Sequence, residues 1–108
     1  MYRELKYGLL EQLYAAALTL ELRDRGHTVV RELRVPVEYK GHQIGWQRLD
    51  IVVDHRLILE VKATEILPPN ARRQLLSYLS ATQLELGLVL HFGPKPHFYR
   101  QINSNDPR

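Results

Sequence analysis

The spacing of apolar residues changes along the chain, and these changes predict its elements. Residues 4–25, "ELKYGLLEQLYAAALTLELRDR", are rich in Leu, Ala and Glu and lack proline, which predicts one long helix ending at Gly26. Because its apolar residues cover more than one stripe, we expect this helix to pack against a sheet. From Thr28 the period becomes two, which predicts an antiparallel hairpin formed by "TVVRELRVPVEY" and "WQRLDIVV".

The second half of the chain continues with short elements. After the turn "DHR", the strand "LILEVKA" is followed by the break "LPPN" and by the helix "ARRQLLSYLSAT", with Asn70 as its N-cap. The strands "LGLVLHF" and "HFYRQI" follow, and we expect the last residues, "NSNDPR", to be frayed. The predicted order is αβββαββ, an α/β (α+β) arrangement, and a chain of 108 residues is expected to form one domain over residues 1–108.

Composition excludes several classes of protein. The absence of cysteine excludes a disulfide scaffold and any thiolate metal site, so a metal ion would need oxygen or imidazole ligands. The five histidines show no paired spacing that would indicate zinc. No segment has the length of a membrane span and the first residues do not resemble a signal peptide, so we expect a cytoplasmic protein without membrane contact. A net charge of +3 is compatible with a polyanionic partner.

Three charged residues interrupt the second and third strands. In the strand 57–63, Glu60 and Lys62 alternate onto the same face, and antiparallel pairing through the turn places the residue opposite Glu60 near Asp50, within a register of one or two residues. The two carboxylates and the backbone carbonyl of Val61 can hold Mg²⁺ through oxygen, and Lys62 can then contact a scissile phosphate. This arrangement suits phosphodiester hydrolysis. The alternative is a pair of opposite charges on a solvated sheet face.

Two helices add polar residues at regular spacing. Gly8, Glu11 and Tyr14 are three residues apart and would share one face of the first helix, with the Glu11 carboxylate among leucines, where an unpaired charge is costly. Gln74 and Tyr78 are four residues apart on the second helix, so their amide and hydroxyl can turn toward the same cleft. The plain alternatives are a surface glutamate and a polar helix stripe.

Taken together, these residues, with Arg48, "EVKA" and "LGLVLHFG", resemble the GxxExxY family, a branch of the PD-(D/E)XK nuclease superfamily, over about residues 6–92. The resemblance implies a restriction-endonuclease-like αβββαβ core with a mixed central sheet flanked by helices. It implies that Asp50 and Glu60 bind the metal ion, that Lys62 is the catalytic lysine, and that Glu11 supports the metal or its water. It also implies that Gln74 contacts the active site or a backbone phosphate.

From these observations we predict a nuclease that cleaves DNA with Mg²⁺ or Mn²⁺. The spacing of its charged residues is also similar to that of archaeal Holliday junction resolvases, so a structure-selective endonuclease is one form of this hypothesis. The rival hypothesis is a catalytically silent module that binds nucleic acid or supports assembly. We expect a homodimer, formed through Trp46 and "HFYRQI". The predicted contacts to nucleic acid, which a solvated basic surface would explain equally well, are Arg48, Arg72, Arg73, Tyr78 and Lys40.

Overall fold

The computed structural model describes residues 1–103, and the residues from 104 onward, which include most of the segment predicted to be frayed, lie outside the described part. The elements are α1 (Tyr2–Leu5), α2 (Glu11–Asp24), β1 (Val29–Tyr39), β2 (His42–Val53), β3 (Leu57–Lys62), α3 (Ala71–Thr82), β4 (Leu86–Phe92) and β5 (Pro96–Ile102). Every predicted strand is present, and α3 has the predicted bounds. Asn70 occupies the N-cap position of α3, but its side chain makes no capping hydrogen bond.

The five strands form one mixed sheet in the order β1-β2-β3-β4-β5. Neighbouring strands are antiparallel except β3 and β4, which are parallel. Parallel neighbours need a crossover connection, and α3 supplies it between β3 and β4. The predicted mixed sheet with flanking helices is confirmed.

Two hydrophobic clusters cover the two faces of the sheet. The cluster beneath α2 joins Tyr14 and Ala15 to sheet residues such as Ile51 and Val61. The cluster beneath α3 joins Leu75 and its neighbours on the helix to the opposite sheet face. Within the described residues, no helix is both long and apolar enough to cross a membrane.

The first helix differs from the prediction because the chain breaks between α1 and α2. Lys6 has φ of 59° and Gly8 has φ of 112°, values that a continuing helix cannot accommodate. Gly8 therefore precedes α2 and does not share a helix face with Glu11. The prediction of one helix over residues 4–25 was wrong at this point.

The hairpin of β1 and β2 extends beyond the rest of the sheet. β3 pairs with β2 only at Ile51–Val53, so residues 34–48 form a two-stranded ribbon. Gln47 on this ribbon donates a side-chain hydrogen bond to Ser77 of α3 at 3.1 Å. Trp46 on the opposite ribbon face is 51% exposed and is not a core residue, and Phe98 on β5 is 68% exposed. The homodimer expected through these surfaces stays a prediction.

Candidate active site

The site lies where β2 and β3 separate. The backbone pairing of the two strands ends at Ile51 and Leu59, and the next residues outward, Asp50 and Glu60, use their side chains instead. The Asp50 backbone N–H donates to Glu60 Oε2 at 2.9 Å, and the Val61 backbone N–H donates to Asp50 Oδ2 at 2.9 Å. These two hydrogen bonds draw both carboxylates into the opening between the strands, as the sequence predicted.

The Glu60 carboxylate is an unfavourable place for a negative charge. Its side chain is 3% exposed. Burial, followed by repulsion from the Asp50 carboxylate, raises the pKa of Glu60 from 4.5 to about 8, and the nearby Lys62 ammonium offsets this only in part. An acidic pair in which one carboxylate is buried and its charge is only partly balanced by a nearby cation is typical of a functional site.

The donor set around this pair fits a hard divalent cation. One oxygen of each carboxylate accepts a backbone N–H, and the other oxygen of each is left for a ligand. Because the N–H and C=O of a strand residue point to the same side, the Val61 carbonyl also faces Asp50. Mg²⁺ prefers oxygen ligands and usually keeps several waters, so two carboxylates and a carbonyl are sufficient.

Glu11 begins α2 and lines the same open pocket as Asp50 and Val61. Its charge contributes to the raised pKa of Glu60. In residues 1–103, however, no group of three or more His, Cys, Asp or Glu side chains is placed to share a metal ion. Glu11 therefore lines the pocket without forming such a group with Asp50 and Glu60, and its predicted support of the metal or its water stays a prediction.

The break before α2 explains how Glu11 reaches the pocket. The Tyr14 hydroxyl, which is fully buried, donates to the Lys6 carbonyl and accepts the Leu9 N–H at 3.3 Å. The Tyr14 ring stacks on Phe92 with a centroid distance of 4.5 Å. Tyr14 thus fixes the irregular segment to the sheet, and the helix starts at Glu11.

These positions also correct the expected surroundings of Glu11. Glu11 is exposed, and its apolar neighbours Leu10 and Leu13 are 64% and 47% exposed. The carboxylate is not embedded among leucines as predicted, because Glu11 is the first residue of α2 and the neighbouring leucines are themselves exposed.

Comparison with known proteins identifies the family. A family model of the PD-(D/E)XK nuclease superfamily matches residues 1–103. The chain belongs to the PD-(D/E)XK nuclease superfamily. Among solved structures, the crystal structure of SSO0001 is similar, with a TM-score of 0.66 and 16% identity over 84% of this chain and 48% of that chain. This likeness shows the fold, and the chain matches about half the length of SSO0001. No curated protein has a significant sequence match.

The superfamily is named after an Asp that is followed later in the chain by Asp or Glu, any residue, and Lys. Asp50 and the stretch Glu60-Val61-Lys62 match this pattern. Lys62 is partly buried at the end of β3 and close enough to Glu60 to lower its pKa, which agrees with the predicted shared face. Its catalytic role stays a prediction.

The two α3 residues predicted for this PD-(D/E)XK site have different environments. Tyr78 is 7% exposed. Burial, followed by the charges of the nearby Glu60 and Asp50, raises the pKa of its hydroxyl. It has almost no surface for a nucleic acid, so that prediction was wrong. Gln74 is exposed and is absent from the lining of the pocket at Asp50. Because Glu60 and Lys62 are also absent from this lining, the predicted contact of Gln74 with the active site or a backbone phosphate stays a prediction.

The predicted basic contacts are spread over the molecule. Arg48 lines the pocket beside Asp50. Lys40 lies in the turn of the ribbon, eight residues before Arg48, which corresponds to about 25 Å along an extended strand. The Arg72 guanidinium lies 5.4 Å from the ring centroid of Tyr99 on β5, two strands from β3, and Arg73 is the next residue of α3. Only Arg48 is brought to the candidate site.

Arg31 and Glu32 of β1 line the same pocket as Asp50, and neither was predicted from the sequence. A signal was present, because Val29, Arg31 and Leu33 alternate along the strand and Arg31 interrupts an otherwise apolar row. The same kind of interruption led to Glu60. The backbone of Glu32, with φ of 52°, gives no sequence signal because the residue is not glycine.

Proposed function

We propose that this protein is a nuclease that uses Mg²⁺ or Mn²⁺ to hydrolyse phosphodiester bonds in DNA, and that it is an endonuclease of the GxxExxY type. The observation that carries this proposal is the pairing of the buried Glu60 with the partly buried Asp50, whose carboxylates are held together by backbone N–H groups despite their repulsion. Without a cation, such a pair lowers the stability of the fold. A bound divalent cation would offset the repulsion between the carboxylates. Membership of the PD-(D/E)XK nuclease superfamily supports phosphodiester chemistry.

Asp50, Glu60 and the Val61 carbonyl would hold the cation. When bound, the cation supplies Lewis-acid stabilisation of phosphate oxygens and acidifies a water molecule. The backbone hydrogen bonds to both carboxylates fix their orientation before substrate arrives, which lowers the reorganisation needed for reaction.

Lys62 and Glu11 have complementary roles in this proposal. Lys62 lies near Glu60, so its ammonium can stabilise the negative charge that grows on the phosphate oxygens as water attacks. Glu11 lines the pocket from α2 and can accept a hydrogen bond from the attacking water, which orients the water toward phosphorus. The water oxygen forms the new P–O bond and releases a proton to solvent, while the P–O bond to the departing strand oxygen breaks and that oxygen takes up a proton from solvent.

The test is cleavage of labelled linear, flap, four-way and single-stranded DNA in Mg²⁺ or Mn²⁺, with EDTA as the metal-free control. We expect metal-dependent cutting by the wild type and a loss of about 100-fold or more in Lys62→Ala, because the group acts mainly in the transition state. Arg25→Ala, an exposed position at the other end of α2, removes the same charge and should cut normally.

Two results would contradict the proposal. Undiminished cutting by Lys62→Ala would show that the activity comes from a contaminant or another site. Salt-dependent DNA binding with no cutting of any substrate would support the silent module instead.

A further inference from the structure

The pocket at Asp50 contains two arginines that metal binding does not require. This open pocket has a volume of about 380 Å³, and Arg31 and Arg48 line it together with Glu11, Asp50 and Val61. The cation ligands account for Asp50 and Val61, whereas the two arginines have no part in holding a cation.

Arg31 is an unusual residue because a buried polar atom in it lacks a partner. Its Nε is inaccessible to solvent and, within the described residues, has no hydrogen-bond acceptor. Glu11 and Glu32 line the same pocket, yet Arg31 takes no part in the ion pairing found in residues 1–103. A guanidinium stays charged at any ordinary pH, so its unpaired buried N–H lowers stability unless a ligand supplies an acceptor.

The backbone of β1 is irregular directly after Arg31, at Glu32. Arg31 pairs with Ile51, which lies in the cluster beneath α2, whereas Leu33 pairs with Leu49, which lies in the cluster beneath α3. Residues two apart normally share a face of a strand. Glu32 between them has φ of 52°, and this left-handed residue separates the two faces. Strain of this kind persists mainly where the surrounding structure and function require it.

The same irregularity brings Arg48 to the side of Arg31. Arg48 is next to Leu49 on β2, so their side chains lie on opposite faces, and Arg48 pairs with Arg34 of β1. The Arg34 guanidinium lies 4.9 Å from the ring centroid of Trp46. These three arginines continue from the carboxylate pair onto the ribbon, on the side opposite the Gln47–Ser77 contact.

We propose that Arg31 and Arg48 bind a phosphate group of the nucleic-acid strand, next to the phosphate that is cleaved. The guanidinium fork matches the paired oxygens of a phosphate, and a phosphate oxygen supplies the acceptor that Arg31 Nε lacks. This inference rests on the proposed nuclease function, since it assigns the substrate strand to that site.

The test measures DNA binding separately from cutting. Fluorescence anisotropy in EDTA, from about 50 to 300 mM NaCl, gives the affinity of labelled duplex and its salt dependence. We expect Arg31→Met and Arg48→Ala each to weaken binding about tenfold and to reduce the log-log salt slope by about 0.9. Arg25→Ala is the matched control and should change neither.

Two further measurements exclude a merely structural role. Arg31→Met keeps the apolar stem and removes the unpaired donor, so it should melt no lower than the wild type. In metal-dependent cleavage, Arg31→Met should raise KM and keep most of kcat, because phosphate contacts away from the reacting atoms act mainly on affinity. Arg31→Lys restores the charge and should recover the salt slope but only part of the affinity.

The outcomes separate this inference from the proposed function. Cleavage by the wild type with unchanged affinity, slope and KM in Arg31→Met and Arg48→Ala would overturn the inference alone. Arginine-dependent binding without any cutting would support the inference and overturn the nuclease function. A lowered melting temperature of Arg31→Met with an unchanged slope would assign Arg31 a structural role, and equally tight binding of a mononucleotide would overturn the assignment to a strand.

Discussion

Glu60→Gln tests the central electrostatic argument, because it removes the buried charge and keeps the shape of the side chain. The glutamine carbonyl can still accept the N–H of Asp50, so the main hydrogen bond survives. The charged or titratable groups that affect Glu60 from the surrounding elements are Asp50, Lys62, Glu11 and Tyr78. None of them is changed by this substitution.

The magnitude follows from the raised pKa. Glu60 titrates at 4.5 in the unfolded chain and at about 8 in the folded protein, so the folded state binds this proton more tightly. The stability that comes from this proton is fully present below pH 4.5 and is lost as pH rises to about 8. At about 1.4 kcal/mol per pKa unit, the loss is roughly 2 to 5 kcal/mol, where the lower figure allows for water reaching the carboxylate.

The assay is urea unfolding of both metal-free proteins from pH 5 to pH 9. Because five histidines titrate in the same range, the informative quantity is the difference in unfolding free energy between the two proteins. We expect Glu60→Gln to become the more stable protein as pH rises, by roughly 2 kcal/mol or more at pH 9. Asp50→Asn should move the pH dependence of Glu60 to lower pH, since it removes the repelling charge.

Divalent metal provides the second arm of the experiment. Mn²⁺ should stabilise the wild type most at high pH, where Glu60 has lost its proton, and should stabilise Glu60→Gln much less. Parallel stability curves for the two metal-free proteins would refute the reasoning that Glu60 is a strained acid. Equal stabilisation by Mn²⁺ would refute its role as a ligand.

Two further predictions concern the framework of the site. Tyr14→Phe keeps the stacking on Phe92 and loses both hydroxyl hydrogen bonds. It should lower the unfolding free energy by about 1 to 3 kcal/mol and reduce cleavage, because Glu11 would be misplaced. Unchanged values in urea unfolding and cleavage would contradict this. Gly87→Ala would place a Cβ 2.7 Å from Leu75 Cδ1 and should cost about 1 to 3 kcal/mol, whereas Gly45→Ala in open space should unfold like the wild type.

The regular elements and the carboxylate pair could be predicted from the sequence. Alternation fixed which residues of β2 and β3 face each other, and a charged residue in an apolar row marked Glu60. These features follow from the period of the backbone and the cost of burying charge, both of which act locally. The bounds of α3 followed from similar local signals, since proline and asparagine precede it.

Other features of the site depended on contacts between distant residues. The break before α2 depends on the Tyr14 hydroxyl reaching back to the Lys6 carbonyl, and the composition of the segment alone favoured an uninterrupted helix. The burial of Tyr78 depended on which face of α3 meets the sheet. Spacing places residues on one face of a helix but does not decide what that face contacts.

The elements, their order, the acidic pair and the lysine beside it follow from the residues along the chain. The position of Arg48 beside Arg31 required the folded sheet, because the left-handed Glu32 reverses the faces of the ribbon beyond Arg31 and so brings Arg48 to the same side. A positive φ at a residue other than glycine is stabilised by the packing around it rather than by its own preference. The meeting of Arg31 and Arg48 beside Asp50 is therefore a property of the folded sheet, although each of these residues is visible in the sequence.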